Sequence, residues 1–112
     1  MHDLHALLKT TVSGGFIVAG VMLVKQRVEA IERWNAVFRD PELDAVRRRH
    51  GLVVTGTYVD ADDANTVIVV MDMDNLDQAR QFAGSAELAA ARGRAGAIGL
   101  PDGVWYGPWE VP

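Results

Sequence analysis

Hydrophobic and polar positions recur with two different periods along the chain, and each change of period marks a predicted element. Residues 21–28, VMLVKQRV, are rich in β-branched side chains and predict a first strand. Apolar residues then recur at the i, i+3 and i+7 spacing of one helical face, at Ile31, Trp34 and Phe38. Asp40-Pro41 divides the helical region, because Pro lacks an N–H and suits the first turn of a new helix, with Asp40 as its N-cap.

The second half of the chain repeats strand and helix patterns in a recognisable order. Residues 52–59 predict a second strand, with Gly56 as an expected bulge, and residues 66–72 predict a third that is nearly all apolar and therefore central. Helical periodicity returns at Asp74, the expected N-cap, with Ser85 capping a further turn. Residues 104–109 predict a last strand at an edge of the sheet, because they include a proline.

The resulting order, β-α-β-β-α-β, predicts a ferredoxin-like α+β fold. Its four-stranded antiparallel sheet would carry helices on one face and leave the other face open. An apolar open face needs a cover, and a second copy of the same chain is the commonest one. We therefore expect a homodimer.

The first part of the chain contains fifteen consecutive residues without a charge, TTVSGGFIVAGVMLV, between two lysines. A membrane-spanning helix needs roughly 20 apolar residues, whereas this run contains Thr, Ser and three glycines. A secretory leader has a basic start, whereas MHDLHALLK opens with an acid before its one Lys. The pattern favours neither a membrane segment nor export, and its β-branched part leads into the first strand.

Composition excludes several classes of function. The 112 residues carry a formal net charge of −4, which disfavours nucleic acid as a partner. The chain has no cysteine, so disulfides and thiolate metal sites are excluded and a cytoplasmic location is favoured. The acidic clusters lack the glycine and terminal Glu of a calcium loop, and the glycine-rich stretches do not fit a dinucleotide or phosphate motif. We expect no metal and no cofactor.

Four residues are candidates for catalysis. Strand alternation places Lys25 and Arg27 on one face of the first strand, opposite a mostly apolar face that suits helix packing. Cations on the open face could hold an enolate or a carboxylate, although a solvated strand end explains them as well. His50, an imidazole outside the N-terminal tail, could move a proton, unless it only caps a helix end, and Tyr58 offers a phenol.

Aromatic side chains are the candidate substrate-binding groups. Trp34 and Phe38 lie on the apolar helical stripe, so plain core packing is the alternative interpretation. Trp105, Tyr106 and Trp109 on the last strand could line a cavity for a planar organic ligand, or pack at a dimer interface. The arginine triplet 47–49 is expected on a solvated helix face, and an anion-binding or partner-binding patch is the alternative interpretation.

Residues 21–110 resemble the dimeric α+β barrel proteins. The similarity is carried by VMLVKQRVEAIERWNAVF and by the patterns D-x-L-x-x-A-x-x-F and S-x-E-L in the second helical region. Within that group, the chain looks like small bacterial proteins often labelled cyclases, which are related to the antibiotic-biosynthesis monooxygenases. The resemblance implies a dimer whose two sheets face each other, an apolar cavity for a polyketide-like or other organic substrate, and no metal or flavin. The resemblance departs at Gln26, where related sequences tend to carry His. Members of that group tend to start near Met22, so the resemblance also implies an N-terminal extension over 1–19 (an arm or a mobile tail) before a domain over 20–112.

Together these observations predict an enzyme that acts on an enolisable polyketide-like or aromatic substrate, as a cyclase or a cofactor-independent monooxygenase. Lys25 or Arg27 would stabilise an enolate, Tyr58 or His50 would move a proton, and the tryptophans would hold the rings. A non-catalytic small-ligand-binding or dimeric interaction domain is the alternative, and Gln26 favours it. Haem binding through His50 is a third, weaker option.

Overall fold

The computed structural model describes residues 11–13 and 16–111 and contains the predicted order of elements. The strands are β1 (Thr11–Ser13), β2 (Phe16–Val18), β3 (Gly20–Arg27), β4 (Leu52–Asp60), β5 (Asp63–Met73) and β6 (Gly103–Gly107). The helices are α1 (Ile31–Phe38), α2 (Pro41–Arg49), α3 (Leu76–Ala83) and α4 (Ala86–Ala95). None of these helices has the length and apolarity that crossing a membrane requires.

The main sheet has the strand order β4-β5-β3-β6, with every neighbouring pair antiparallel. This order confirms the ferredoxin-like prediction, because the first and third strands of the repeat lie at the centre and the second and fourth at the edges. The apolar β5 is central and the proline-flanked β6 is an edge strand, both as predicted. The register of β4 shifts between Val54 and Gly56, where the glycine predicted a bulge.

Part of the predicted N-terminal extension forms a separate two-stranded sheet. β1 and β2 pair antiparallel, and Ala19 N–H donates to Met73 O over 2.9 Å, which connects the hairpin to the end of β5. Residues 1–10 of the extension lie outside the described part of the chain.

Local capping explains why each helical region is made of two helices. Asp40 accepts a hydrogen bond from the backbone N–H of Glu42 over 2.9 Å, and Pro41 opens α2, as predicted. Ser85 caps α4 by accepting from Leu88 N–H over 3.1 Å, also as predicted. The expected cap at Asp74 is wrong by one residue: Asn75 accepts from the N–H of Gln78 and is the N-cap of α3.

The two faces of the sheet differ in composition, and strand alternation predicted this difference correctly. The face covered by helices carries Met22, Val24 and Gln26 of β3 opposite Met71, Val69 and Val67 of β5. These side chains form the core with apolar residues of the helices, including Trp34 and Phe82. The open face carries Leu23, Lys25 and Arg27 opposite Val70, Ile68 and Thr66.

The arginine triplet at the end of α2 is not uniformly solvated, which corrects the sequence prediction. Arg48 and Arg49 are exposed, but Arg47 is only 4% exposed. Arg47 follows the buried Leu43 by four residues, so both lie on the helix face that packs toward the core. The guanidinium of Arg47 is therefore buried in the interior of the domain.

Candidate functional site

A cavity of about 180 Å³ lies between the helix-covered face of the sheet and the helices. The sheet contributes apolar side chains of β3, β5 and β6, and all four helices contribute further apolar groups. Among the described residues that line it, three have polar side chains: Gln26, Arg47 and Arg92. An apolar hollow with a few placed polar groups is the usual composition of a small-molecule site.

One wall of the cavity is a cluster of two aromatic rings and a guanidinium, which we call the Trp34–Phe38–Arg47 cluster. The two rings are one helical turn apart on α1 and stack with their centroids 4.4 Å apart and 20° between their planes. The Cζ atom of Arg47 lies over the Phe38 ring, 4.6 Å from its centroid. All three side chains line the cavity.

Arg47 is poorly satisfied for a buried cation. Its Nη2 donates to Phe38 O over 3.0 Å, whereas its Nε is enclosed and finds no acceptor among the described residues. Asp44 Oδ1 lies 3.7 Å from Nη2, too far for a hydrogen bond, and the Asp44 side chain is partly exposed. Burial lowers the pKa of the Arg47 guanidinium, and Asp44 opposes this shift only in part.

Gln26 and Arg92 are, by contrast, engaged in a network that holds a loop against the cavity. Gln26 Nε2 donates to Arg27 O over 2.7 Å and to Ile98 O over 3.1 Å. Arg92 Nη2 donates to Gln26 Oε1 over 2.8 Å and also to Gly99 O. The loop over residues 97–102 thereby borders the cavity and contributes Leu100 and Pro101 to its lining. Gly99 has φ +66°, a conformation that favours glycine at this turn.

Of the aromatic residues proposed from sequence, Trp34 and Phe38 line the cavity, and the last-strand residues do not. Tyr106 lies on the helix-covered face under the Arg80 guanidinium, 5.3 Å from its ring centroid, and burial raises the pKa of its phenol. Trp105 pairs with Leu23 on the open face, and Trp109 follows β6 and is exposed.

His50 occupies the C-terminal end of α2, outside the cavity lining. Its Nδ1 lies 2.8 Å from Val46 O, and its ring is tilted against Phe82 with centroids 5.6 Å apart. This placement agrees with the helix-capping interpretation of His50.

The predicted catalytic cations and phenol lie on the open face of the sheet. Lys25 Nζ makes an ion pair with Asp60 Oδ2 over 2.8 Å, and this hydrogen bond raises the pKa of Lys25. The pKa of Asp60 is lowered, first by the backbone N–H of Asp62 and then by Lys25. Tyr58 pairs with Ile68 on the same face, and Arg27 is exposed at the end of β3. The sheet separates Lys25, Arg27 and Tyr58 from the cavity, so the predicted residues fall into two groups rather than one site.

Three cavity residues were not predicted from the sequence: Arg47, Gln26 and Arg92. The sequence pattern nevertheless indicates two of them. Gln26 lies in phase with the apolar positions of the first strand, and Arg47 lies four residues after Leu43 on the helical stripe. A polar residue at a core-facing position is the pattern to look for. Within residues 11–13 and 16–111, no group of three or more His, Asp or Glu side chains is arranged to hold a metal ion.

No protein-family model and no curated protein matches this sequence. Among solved structures, the chain is similar to a crystal structure from Chloroflexus aurantiacus J-10-fl that is described as an antibiotic biosynthesis monooxygenase. The two share 15% sequence identity with a TM-score of 0.46, over 83% of this chain and 93% of the other. At this level the similarity concerns the fold, and it assigns no ligand or reaction to this protein.

Proposed function

We propose that this protein binds a small, mainly apolar organic molecule in the cavity between the sheet and the helices. The observation that carries the proposal is the cavity itself, in a domain of only 112 residues. Protein interiors are close-packed, so an apolar hollow of about 180 Å³ between a sheet and its helices is an exception that a ligand can fill.

The size and walls of the cavity favour a molecule with one ring. Apolar cavities of about 150 Å³ are known to accept benzene, and the present cavity is slightly larger. The stacked rings of Trp34 and Phe38 offer a flat apolar wall to such a ring. A polyketide of several fused rings is larger than this cavity.

Binding can be tested by NMR with toluene as the probe and labelled methionine methyl groups as reporters. Met22 and Met71 line the cavity, whereas Met73 is equally buried in the core but does not line it. Saturable shifts at Met22 and Met71 with little change at Met73 are the expected result.

A pair of alanines on α4 supplies matched control variants. Ala91 lines the cavity and is buried, whereas the neighbouring Ala90 is exposed. Ala91→Leu should fill the volume and abolish the toluene shifts, and Ala90→Leu should preserve them. Absence of a saturable shift in the wild-type protein, or equal binding by both variants, would refute the proposal.

Conversion of an enolisable substrate is the second candidate function. It is supported by two guanidinium groups beside an apolar volume, an arrangement suited to stabilising an enolate oxygen. The described lining residues include no carboxylate, imidazole or phenol, so the α-proton would pass to solvent. A mechanism that uses Lys25, Arg27 or Tyr58 instead would need a second site on the open face.

Enolisation can be measured without any oxidant, as exchange of the α-protons of 2-indanone for deuterium in D₂O. In this step the C–H bond breaks, the enolate forms, and a deuteron from solvent replaces the lost proton. Exchange faster than in buffer, and slowed by Arg47→Met, would support an enzyme. Saturable binding of 2-indanone without faster exchange would support a purely ligand-binding protein.

We also propose that the open face of the sheet is covered by a second copy of the chain. Tyr58 and Trp105 are 58% and 53% exposed there, together with Val21. Burial of apolar area at about 25 cal/mol per Å² favours covering such a face.

A further inference from the structure

We infer that the cavity ligand carries a carboxylate that Arg47 recognises; this inference rests on the proposed binding function. The observation behind it is the burial of Arg47 at the cavity wall without a matching buried anion. Charged side chains are almost never fully buried unless they are paired. The buried positive charge of Arg47 therefore requires an anionic partner.

The described residues satisfy only part of the hydrogen-bonding capacity and charge of Arg47. A guanidinium has five N–H donors in a planar fork, and the hydrogen bond of Arg47 to Phe38 O uses one of them. Asp44 is the one carboxylate within 4 Å among the described residues, and its side chain is 41% exposed and makes no hydrogen bond with Arg47. A solvated carboxylate at 3.7 Å compensates a buried cation weakly.

The position of Arg47 on its helix does not explain the burial either. Basic residues in the last turn of a helix interact favourably with the helix dipole, and α2 ends in three of them. Arg48 and Arg49 fulfil that role while exposed to solvent. The burial of Arg47 adds a desolvation cost that the interaction with the helix dipole does not require.

The surroundings of Arg47 select an aromatic carboxylate rather than an inorganic anion. The guanidinium lies over Phe38, which stacks on Trp34, so a ligand ring on this apolar wall can direct a carboxylate toward the guanidinium. Carboxylates match the planar fork of arginine with two parallel hydrogen bonds. The described lining contains no acidic side chain that would repel the anion. Because the Nε edge is enclosed, binding includes a turn of the guanidinium toward the cavity.

The test compares benzoate with benzamide, which has nearly the same shape but no charge, at pH 7. Binding is followed at the methyl groups of Met22 and Met71, which line the cavity. Benzoate should bind the wild-type protein about ten-fold or more tightly than benzamide, because hydrogen bonds between charged partners are the stronger ones. Toluene serves as the probe of the cavity alone.

Variants of the arginine triplet assign the preference to one side chain. Arg47→Met should remove the preference for benzoate while toluene still binds, and Arg47→Lys should keep it in part because the charge remains. Arg49→Met, in the same helical turn but on the exposed face, should keep it fully.

The possible outcomes separate this inference from the proposed function. If neither toluene nor benzoate binds, the proposed binding function fails, and the inference fails with it. If toluene binds and benzoate is no better than benzamide, the inference alone is overturned. A benzoate preference that survives in Arg47→Met would place the anion elsewhere, and would also overturn it.

Discussion

Replacing Arg47 with Met should leave the ligand-free protein at least as stable as the wild type, although the residue is almost completely buried. The substitution exchanges a long cationic side chain for an unbranched apolar one that adapts to irregular packing. If Arg47 is present for a ligand, it adds little to the free energy of unfolding in the absence of that ligand. If it is a structural ion pair, its loss should be severe.

The contacts of Arg47 permit an estimate of the change. Its bond to Phe38 O contributes about 1.5–3 kcal/mol, its position over the Phe38 ring about 1–2 kcal/mol, and the exposed pair with Asp44 at most about 1 kcal/mol. Against these stands a desolvation cost of several kcal/mol for a buried ion, of which the unpaired Nε accounts for about 1–3 kcal/mol.

Met in the same position removes this desolvation cost and contributes roughly 1.5–3 kcal/mol by its own burial. It also leaves Phe38 O without its donor, at a cost of about 1–3 kcal/mol. The terms nearly cancel, and the expected change in the free energy of unfolding lies between a loss of about 1 and a gain of about 2 kcal/mol. Breaking a structural buried pair costs about 3–5 kcal/mol instead.

Urea denaturation followed by circular dichroism distinguishes the two cases, because the midpoint reports stability when the slope m is unchanged. Leu43→Ala is the reference variant: Leu43 is buried on the same face of α2, and its truncation should cost about 2–5 kcal/mol. An Arg47→Met protein destabilised as much as Leu43→Ala would refute the reasoning. Benzoate at ten times its dissociation constant should then stabilise the wild type by about 1.4 kcal/mol and Arg47→Met hardly at all.

Three further measurements test other parts of the structure. Arg92→Met removes the hydrogen bonds to Gln26 and Gly99 that hold the loop over residues 97–102. Hydrogen exchange of the backbone amides in that loop should therefore accelerate about ten-fold or more, while the amides of β5 keep their protection. Unchanged exchange in the loop would contradict this. The pKa of Asp60 is lowered below 3.8 and that of Lys25 is raised above 10.5, so their pair stabilises the fold between these limits. Asp60→Asn should therefore destabilise the protein at pH 7, and the difference should shrink as the pH falls through the folded pKa of Asp60. A difference that does not shrink in acid would argue against the pair. Analytical ultracentrifugation should find a dimer for the wild type and a folded monomer for Trp105→Arg, and a monomeric wild type would rule out the covered face.

Features that depend on neighbouring residues were predictable from the sequence. The order of strands and helices follows from hydrophobic periods of 2 and 3.6, which are properties of the local backbone. The same alternation correctly placed Met22 and Gln26 on the helix-covered face and Lys25 on the open face. Caps were predictable to within one residue: Asp74 and Asn75 are both good cap residues, and the sequence contains no signal that chooses between them.

The position of the cavity was decided by the tertiary structure. Tyr58 and Trp105 were predicted as site residues because of their reactive and aromatic side chains, but both lie on the open face. The cavity lies on the other side of the sheet, because its volume depends on how far the helices stand from the strands and on which side chains fill the space between. Those distances result from packing between elements distant in sequence, which periodicity does not encode.

The same physical reason explains why one arginine of three became the centre of the site. In the sequence, residues 47–49 are a run of equal charges, and solvent is the expected environment for each. The spacing of four residues from Leu43 puts Arg47 on the apolar side of the helix. The docking of α2 on the core then turns that side inward and leaves Arg48 and Arg49 in water. The sequence by itself determined the helix and its charge, and the tertiary structure determined which charge is buried beside the cavity.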